Sequence, residues 1–393
     1  MRIFKIVVLC LSVVNFSTFA QGESSSDFEK GFGEAEGISE AEKLGADVDK
    51  VKIGGSLTSD FFLLGTEGSG ASDNFYNPYS LWVYLDANLR NEIRAYAKAK
   101  LIWANSSNPL LSSSPPSAST ELEELKLFFN ADKRVFFTVG KQKIKWGAGK
   151  FWNPTDFLNN EKRDLLDSDD LRSGVTLLKS HMPFGKSNLY LVQSLDGASR
   201  INKIGHTLRL ELPLGSSELS FTASKLKDAK AFFGTDVSLA VGSFDLHGEV
   251  AYQQDSKQAH VVGGIGREFG YGDNDTWGVS LEYFGNASGI SNTANYAPAL
   301  ATSVYTPFYF SRHYAMLLLY LPSPGTWNKT TINLFNVFNL TDQSILSKLN
   351  FSFEMMQDLR WDVGASYRYG KSDGEFRFFS QRYDLSTSLS VDF

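Results

Sequence analysis

The sequence predicts an all-β fold: a closed antiparallel transmembrane β-barrel of about 18 strands. Three observations predict it. Apolar and polar residues alternate with period two over run after run of about ten residues, the length a tilted strand needs to cross a bilayer. Short turns and longer loops alternate between these runs. Beyond the first twenty residues no stretch is apolar for long enough to make a membrane helix, although aromatics are abundant, with Phe 31, Tyr 16 and Trp 7.

The chain begins with an export signal. Arg2 and Lys5 form a positive n-region, Ile6 to Val14 an apolar h-region, and Thr18-Phe19-Ala20 a small-residue cleavage site before Gln21. Residues 1–20 are therefore a signal peptide. Cys10 lies inside the h-region and follows Leu9, not the small residue a lipoprotein signal requires. The mature chain has no cysteine, which excludes disulfides, thiolate metal sites and cysteine nucleophiles. Without Arg2 and Lys5 it carries 36 basic and 44 acidic residues, a net charge of -8 that argues against nucleic acid as a partner. Residues 21–50 are acidic and rich in Gly, Ser and Glu, and read as a flexible periplasmic leader. The other reading of that segment is a plug entering the lumen.

The barrel occupies 51–393. In EIRAYAKAKLIW, Ile93, Ala95, Ala97, Ala99, Leu101 and Trp103 share one face, and Arg94, Tyr96, Lys98 and Lys100 the other. A helix would scatter those lysines; a strand aligns them. Strands are predicted near 51–64, 76–90, 92–104, 119–130, 134–146, 170–182, 187–196, 203–213, 217–226, 233–242, 245–254, 258–269, 275–285, 306–321, 328–340, 343–356, 359–370 and 379–393. The runs 245–254 and 343–356 alternate poorly, which leaves 16 as the alternative number. Segregation of loops by length has no reason to arise in a soluble sandwich. In hydrocarbon every backbone N–H and C=O needs a partner, and strands supply one throughout only by closing the sheet. Outward rows are then apolar, with Tyr367, Tyr369, Tyr383, Phe393, Trp103 and Trp277 as interface aromatics. Inward rows are polar in nearly every strand, which makes a wet lumen.

Catalytic and cofactor chemistry has no motif here. GAGK at Gly147–Lys150 lacks the glycine and the Ser/Thr of a phosphate loop, with Ile144 and Phe151 in those places. The five histidines have no metal spacing. No cofactor is expected and an enzyme is disfavoured; His206 or His247 meeting an acid across the lumen is the remaining catalytic arrangement.

The last strand, RYDLSTSLSVDF, ends in Phe393 and is similar to the C-terminal signature of bacterial outer-membrane β-barrels. That resemblance implies the outer membrane of a diderm bacterium, recognition of Phe393 by the barrel-assembly machinery, and outer-membrane lipid as the surrounding partner. GKQKIKWGAGKFWNPTDFLN also resembles the W-G…N-P-T-D segment of uncharacterised bacterial porin-like proteins. Resemblance to general porins further implies a third long loop folded into the barrel, setting an acidic constriction against a basic wall. The candidate wall is Arg90, Arg94, Lys98, Lys100, Lys126, Lys141, Lys143 and Lys145. The candidate loop acids are Asp156, Glu161, Asp164, Asp167, Asp169 and Asp170. Lys141, Lys143 and Lys145 share parity with the outward Val135, Phe137 and Val139, and a mid-bilayer lysine costs about 2–4 kcal/mol. A β-bulge near Gly140 that turns them inward is the favoured escape; the other is a position above the membrane among headgroups.

The resulting expectation is a diffusion channel for small polar or anionic solutes, monomeric or homo-oligomeric. An adhesin or receptor using loops 105–119 and 285–307, and a plugged transporter of hydrophobic solutes, are the alternatives.

Overall fold

A computed structural model of the chain describes residues 50–67, 73–89, 92–104, 118–159, 172–226, 231–272, 275–302, 305–378 and 381–393. The expected signal peptide and nearly all of the expected leader lie outside them.

Eighteen strands form one antiparallel sheet. In chain order they are β1 (Lys50–Thr66), β2 (Asp73–Tyr76 and Pro78–Leu89), β3 (Ile93–Ala104), β4 (Ala118–Ala131), β5 (Val135–Gln142) and β6 (Val175–Phe184). Next come β7 (Ser187–Ser194), β8 (Gly205–Leu214), β9 (Ser217–Lys225), β10 (Ala231–Val241), β11 (Phe244–Gln253) and β12 (Gln258–Tyr271). The last six are β13 (Asp275–Gly285), β14 (His313–Pro322), β15 (Thr330–Asn339), β16 (Ser344–Met356), β17 (Leu359–Tyr369) and β18 (Gln381–Asp392). Each strand pairs with the next, and β18 returns to β1 in register from Ser56↔Asp392 to Gly65↔Tyr383, with a shift before Thr66↔Gln381. The sheet is closed and has no free edge. Phe393 completes the seam: its N–H donates to the Gly55 carbonyl and its carbonyl accepts the Gly55 N–H, both at 2.9 Å.

β2 is interrupted at Asn77, because Pro78 offers no N–H to the ladder. Asn77 is buried and its side-chain amide donates to the Asp60 carbonyl, so the gap is closed by a side chain. No helix among the described residues is long and apolar enough to cross a membrane.

Alternation sorts the two faces as expected. Leu57, Leu85, Leu101, Leu125, Leu208, Phe221, Leu281 and Leu389 lie exposed on the outward rows. Aromatic pairs mark both rims, Tyr79–Trp103 at the long-loop end and Phe269–Trp277 at the short-turn end. Three strand boundaries differ from the prediction by four residues or more, and the causes are local. β5 stops at Gln142, β6 starts at Val175 and β14 starts at His313. In each case the flanking residues turn into the barrel and pack there. The uniformly polar lumen also needs correction. On β14 and β15 the inward Tyr314, Met316, Leu318, Phe335 and Val337 are buried among one another and the loops above them. The inward face of these strands is apolar as well as the outward one, which is why HYAMLLLYLP reads as a nearly continuous apolar run.

Candidate pore constriction

The third loop of the long-loop end, residues 143–174, leaves the wall at Gln142. Gln142 is buried and its amide nitrogen donates to the carbonyls of Thr138 (3.3 Å) and Leu177 (3.5 Å). Ile144, Trp146 and Leu158 then pack on Val175 and Leu177 of β6 and on Tyr190 and Val192 of β7. From there the loop reaches β11 and β13, six and eight strands further round an eighteen-strand ring. A segment that joins such distant parts of a closed wall has to lie in the lumen.

Two wall carboxylates hold it there. Glu249 of β11 accepts the Gly149 N–H (2.6 Å), the Thr155 N–H (3.1 Å), the Thr155 hydroxyl (2.7 Å) and the Asn153 amide (3.0 Å). Glu282 of β13 accepts three successive N–H groups, from Lys150 (2.7 Å), Phe151 (3.1 Å) and Trp152 (2.7 Å). It also shares a 2.7 Å hydrogen bond with His247 Nε2. Successive backbone amides pointing one way make an anion nest. The GAGKFW segment is such a nest, and its anions are the protein's own side chains. Gly147 has φ +104°, and a Cβ there would run into the Glu249 carboxylate, so the turn needs glycine. Trp152 is fully buried, stacks on Phe284 at 5.5 Å, and donates from Nε1 to the Phe308 carbonyl at 3.1 Å.

The basic cluster occupies β3, β4 and the start of the loop. Arg94 makes a bidentate pair with Asp86 at 2.7 and 2.9 Å. Lys126 pairs with Glu124 at 2.8 Å. The ammonium groups of Lys98, Lys100 and Lys143 lie 4.0, 4.6 and 5.8 Å from the ring centre of one indole, Trp82. Ring faces attract cations, so Trp82 helps hold three like charges together. Glu123 offsets two of them, at 3.6 Å from Lys98 and 3.5 Å from Lys143. Lys100 has no carboxylate within salt-bridge distance among the described residues.

Glu123 reaches the lumen because β4 carries the bulge. The register passes from Lys98↔Glu124 to Ala99↔Leu122, and Glu123 is the extra residue. A bulge was expected near Gly140 on β5 instead. Gly140 does have φ +124°, but β5 pairs with β4 without a break as far as Leu125↔Lys141. Lys141 therefore stays on the outward row, which corrects its expected inward placement. Its ammonium donates to the Leu122 carbonyl at 2.6 Å, beside the bulge. Lys143 turns inward because the chain has left the wall, and Lys145 follows on the loop, half-buried between Ile144 and Trp146. Arg90, Glu161, Asp164, Asp167, Asp169 and Asp170 lie outside the described residues. Asp156, the described loop acid, is buried and paired within the loop to Arg172 (3.0 Å) and Asn159 (2.7 Å). Where the loop is described, the acids that fix it belong to the wall and the loop supplies the donors.

Sequence reasoning missed Glu249, Glu282 and Trp82, which belong to no motif in the sequence. It also missed a second polar cluster. Glu375, on the short helix α1 (Glu375–Phe378), accepts from the hydroxyls of Tyr314 (2.5 Å), Tyr305 (3.1 Å) and Ser311 (3.2 Å) and from the Asn339 amide (2.7 Å). Asp342 accepts the Glu375 N–H (2.7 Å) and the Tyr296 hydroxyl (2.8 Å). Three loops are tied together in this way, and Tyr314 and Phe308 connect them to Trp152. His247 is committed to Glu282, and His206 is exposed at the long-loop end of β8.

The described residues thus form a closed eighteen-strand antiparallel barrel with the third loop folded into its lumen. No protein-family model and no curated protein sequence matches the chain. Solved structures do. OccAB4 of Acinetobacter baumannii aligns with a TM-score of 0.59 at 9% identity, covering 89% of this chain and 99% of its own. OpdK of Pseudomonas aeruginosa, crystallised with vanillate, aligns at 0.57 and 10% identity over 87% and 98% of the two chains. A BenF-like porin from Pseudomonas fluorescens Pf-5 aligns at 0.57 and 11% identity over 88% and 100%. The shared property is the fold.

Proposed function

We propose that the protein is a bacterial outer-membrane channel for passive diffusion of small polar or anionic solutes. The observation that carries this is the third loop: it folds inside a closed barrel and is fixed to the wall by Glu249 and Glu282, so the described part of the loop narrows the passage. Barrels of this size leave room for water. The cluster of Lys98, Lys100 and Lys143 around Trp82 supplies the positive potential that favours anions in a pore. OpdK, a protein of the same fold, was crystallised with the carboxylate-bearing vanillate. Arg90 and Lys145 are assigned to the same basic wall. Glu161, Asp164, Asp167, Asp169 and Asp170 are assigned to the remainder of the loop, opposite it. Residues 1–20 direct export, 21–50 remain a periplasmic leader, and the barrel-assembly machinery reads the strand that ends at Phe393.

Planar-bilayer recording tests the proposal. Purified protein should give discrete conductance steps with anion preference. No steps at all would remove the channel reading and leave the adhesin or receptor alternative.

A further inference from the structure

Two cations lie on the outward rows of the described strands short of the terminal residue: Lys141 on β5 and Arg267 on β12. On a membrane-facing surface each needs a partner. Lys141 finds one in the Leu122 carbonyl at 2.6 Å. Arg267 has none among the described residues. Its guanidinium carbon lies 4.8 Å from the Phe244 ring centre and 4.7 Å from that of Phe269, and its Nε is buried with no hydrogen-bond partner. The pairing Phe244↔Arg267↔Val279 places it among apolar neighbours, with the Phe269–Trp277 stack on the turn side. Two described acids nearby are engaged elsewhere. Glu268 points inward and accepts the Tyr320 hydroxyl at 2.5 Å, and Asp275 at the turn accepts the Gly325 N–H at 3.2 Å. The result is a planar cation, fixed by two aromatic rings near the short-turn rim, with its N–H donors unused.

The geometry points to Arg267 as the binding residue for the phosphate of an anionic phospholipid in the leaflet at the short-turn end. Arginine suits this task because its fork of donors matches phosphate oxygens bidentately and its plane stacks on aromatic faces. Phe244 and Phe269 pre-order the guanidinium, so little side-chain entropy is lost when the phosphate arrives. The acyl chains then run along the apolar outward rows of β11–β13. The inference rests on the membrane reading above and deepens it by naming a lipid.

Native mass spectrometry of the full chain, released from nanodiscs containing phosphatidylglycerol and phosphatidylcholine, tests it. The wild type should retain a phosphatidylglycerol that R267Q holds about tenfold to a hundredfold more weakly, the range of a charge-assisted pair. R267K should lose most of the retention, since a point charge neither stacks nor forks. F244A, which removes one ring and keeps the charge, should weaken it as well and serves if R267Q does not fold. Equal retention by wild type, R267Q and F244A would overturn the inference. So would displacement of the lipid by inorganic phosphate alone, which would mark a site for the free anion. Conductance of the same preparations separates the two claims: channels with no lipid difference refute this site only, and absence of channels refutes the membrane channel itself.

Discussion

Replacing Glu282 with glutamine should free the tip of the third loop. One carboxylate oxygen, Oε1, accepts from Phe151 (3.1 Å) and Trp152 (2.7 Å); the other, Oε2, accepts from Lys150 (2.7 Å) and meets His247 (2.7 Å). Glutamine keeps one acceptor and puts an NH2 where Oε2 was. His247 can answer by moving its proton to Nδ1 and accepting at Nε2. The Lys150 N–H has no such choice, and an orphaned buried donor costs about 1–3 kcal/mol. The Phe151 and Trp152 bonds also lose their charge assistance, which about halves them. A total of about 3 kcal/mol changes the ratio of docked to released loop roughly a hundredfold. The wall should survive, because β13 keeps its ladders to β12 and β14. Single-channel recording of E282Q should show larger and noisier conductance than the wild type, and E249Q/E282Q more so. If the folded double variant gave wild-type conductance and noise, the carboxylate clamp would not be what positions the loop.

The other expectations are briefer. K98Q/K100Q should move the reversal potential toward cation preference in a salt gradient; an unchanged potential would place selectivity elsewhere. Burial pushes the Glu375 carboxyl up to about 7, against the hydrogen bond from Tyr314 and with Asp342 adding to the rise. The docked loops then bind the proton more strongly than released ones, so their stability is full below the ordinary pKa of 4.5 and is lost as pH rises through about 7. Protection factors at Tyr305 to Phe310, corrected for the intrinsic pH dependence of exchange, should fall across that window in the wild type, and E375Q should flatten the dependence; constant wild-type protection would refute it. G140A forces an L side chain to φ +124° against the Leu125 carbonyl and should cost about 1–3 kcal/mol, read as a lower urea midpoint. An unchanged midpoint would show that β5 can relax.

Period-two alternation, together with the segregation of short turns from long loops, determined the barrel. In hydrocarbon a strand has only one way to be apolar outside and paired throughout, so EIRAYAKAKLIW and its counterparts name both the element and its orientation. The strand number follows from the same pattern, and the runs at 245–254 and 343–356 prove to be full strands despite their weak alternation. Inward Arg94, Lys98, Lys100 and Lys126 were also legible, since parity alone fixes their side of the wall. Tertiary structure decided the rest. Parity fails wherever the chain adds a residue or leaves the sheet, so the bulge at Glu123 and the exit at Gln142 could not be located from β5 alone. Lys141 stayed outside as a consequence, and Lys143 came inside.

The GAGK motif changed its meaning for the same reason. In one dimension GAGKFW was a phosphate loop with two letters missing. In three it is an amide nest whose anions, Glu249 and Glu282, stand about a hundred or more positions away in the sequence. Local pattern reports what a segment can bind, here a carboxylate at successive N–H groups. Only closure of the barrel brings β11 and β13 across from β5, and with them the partners that turn a surface loop into the constriction.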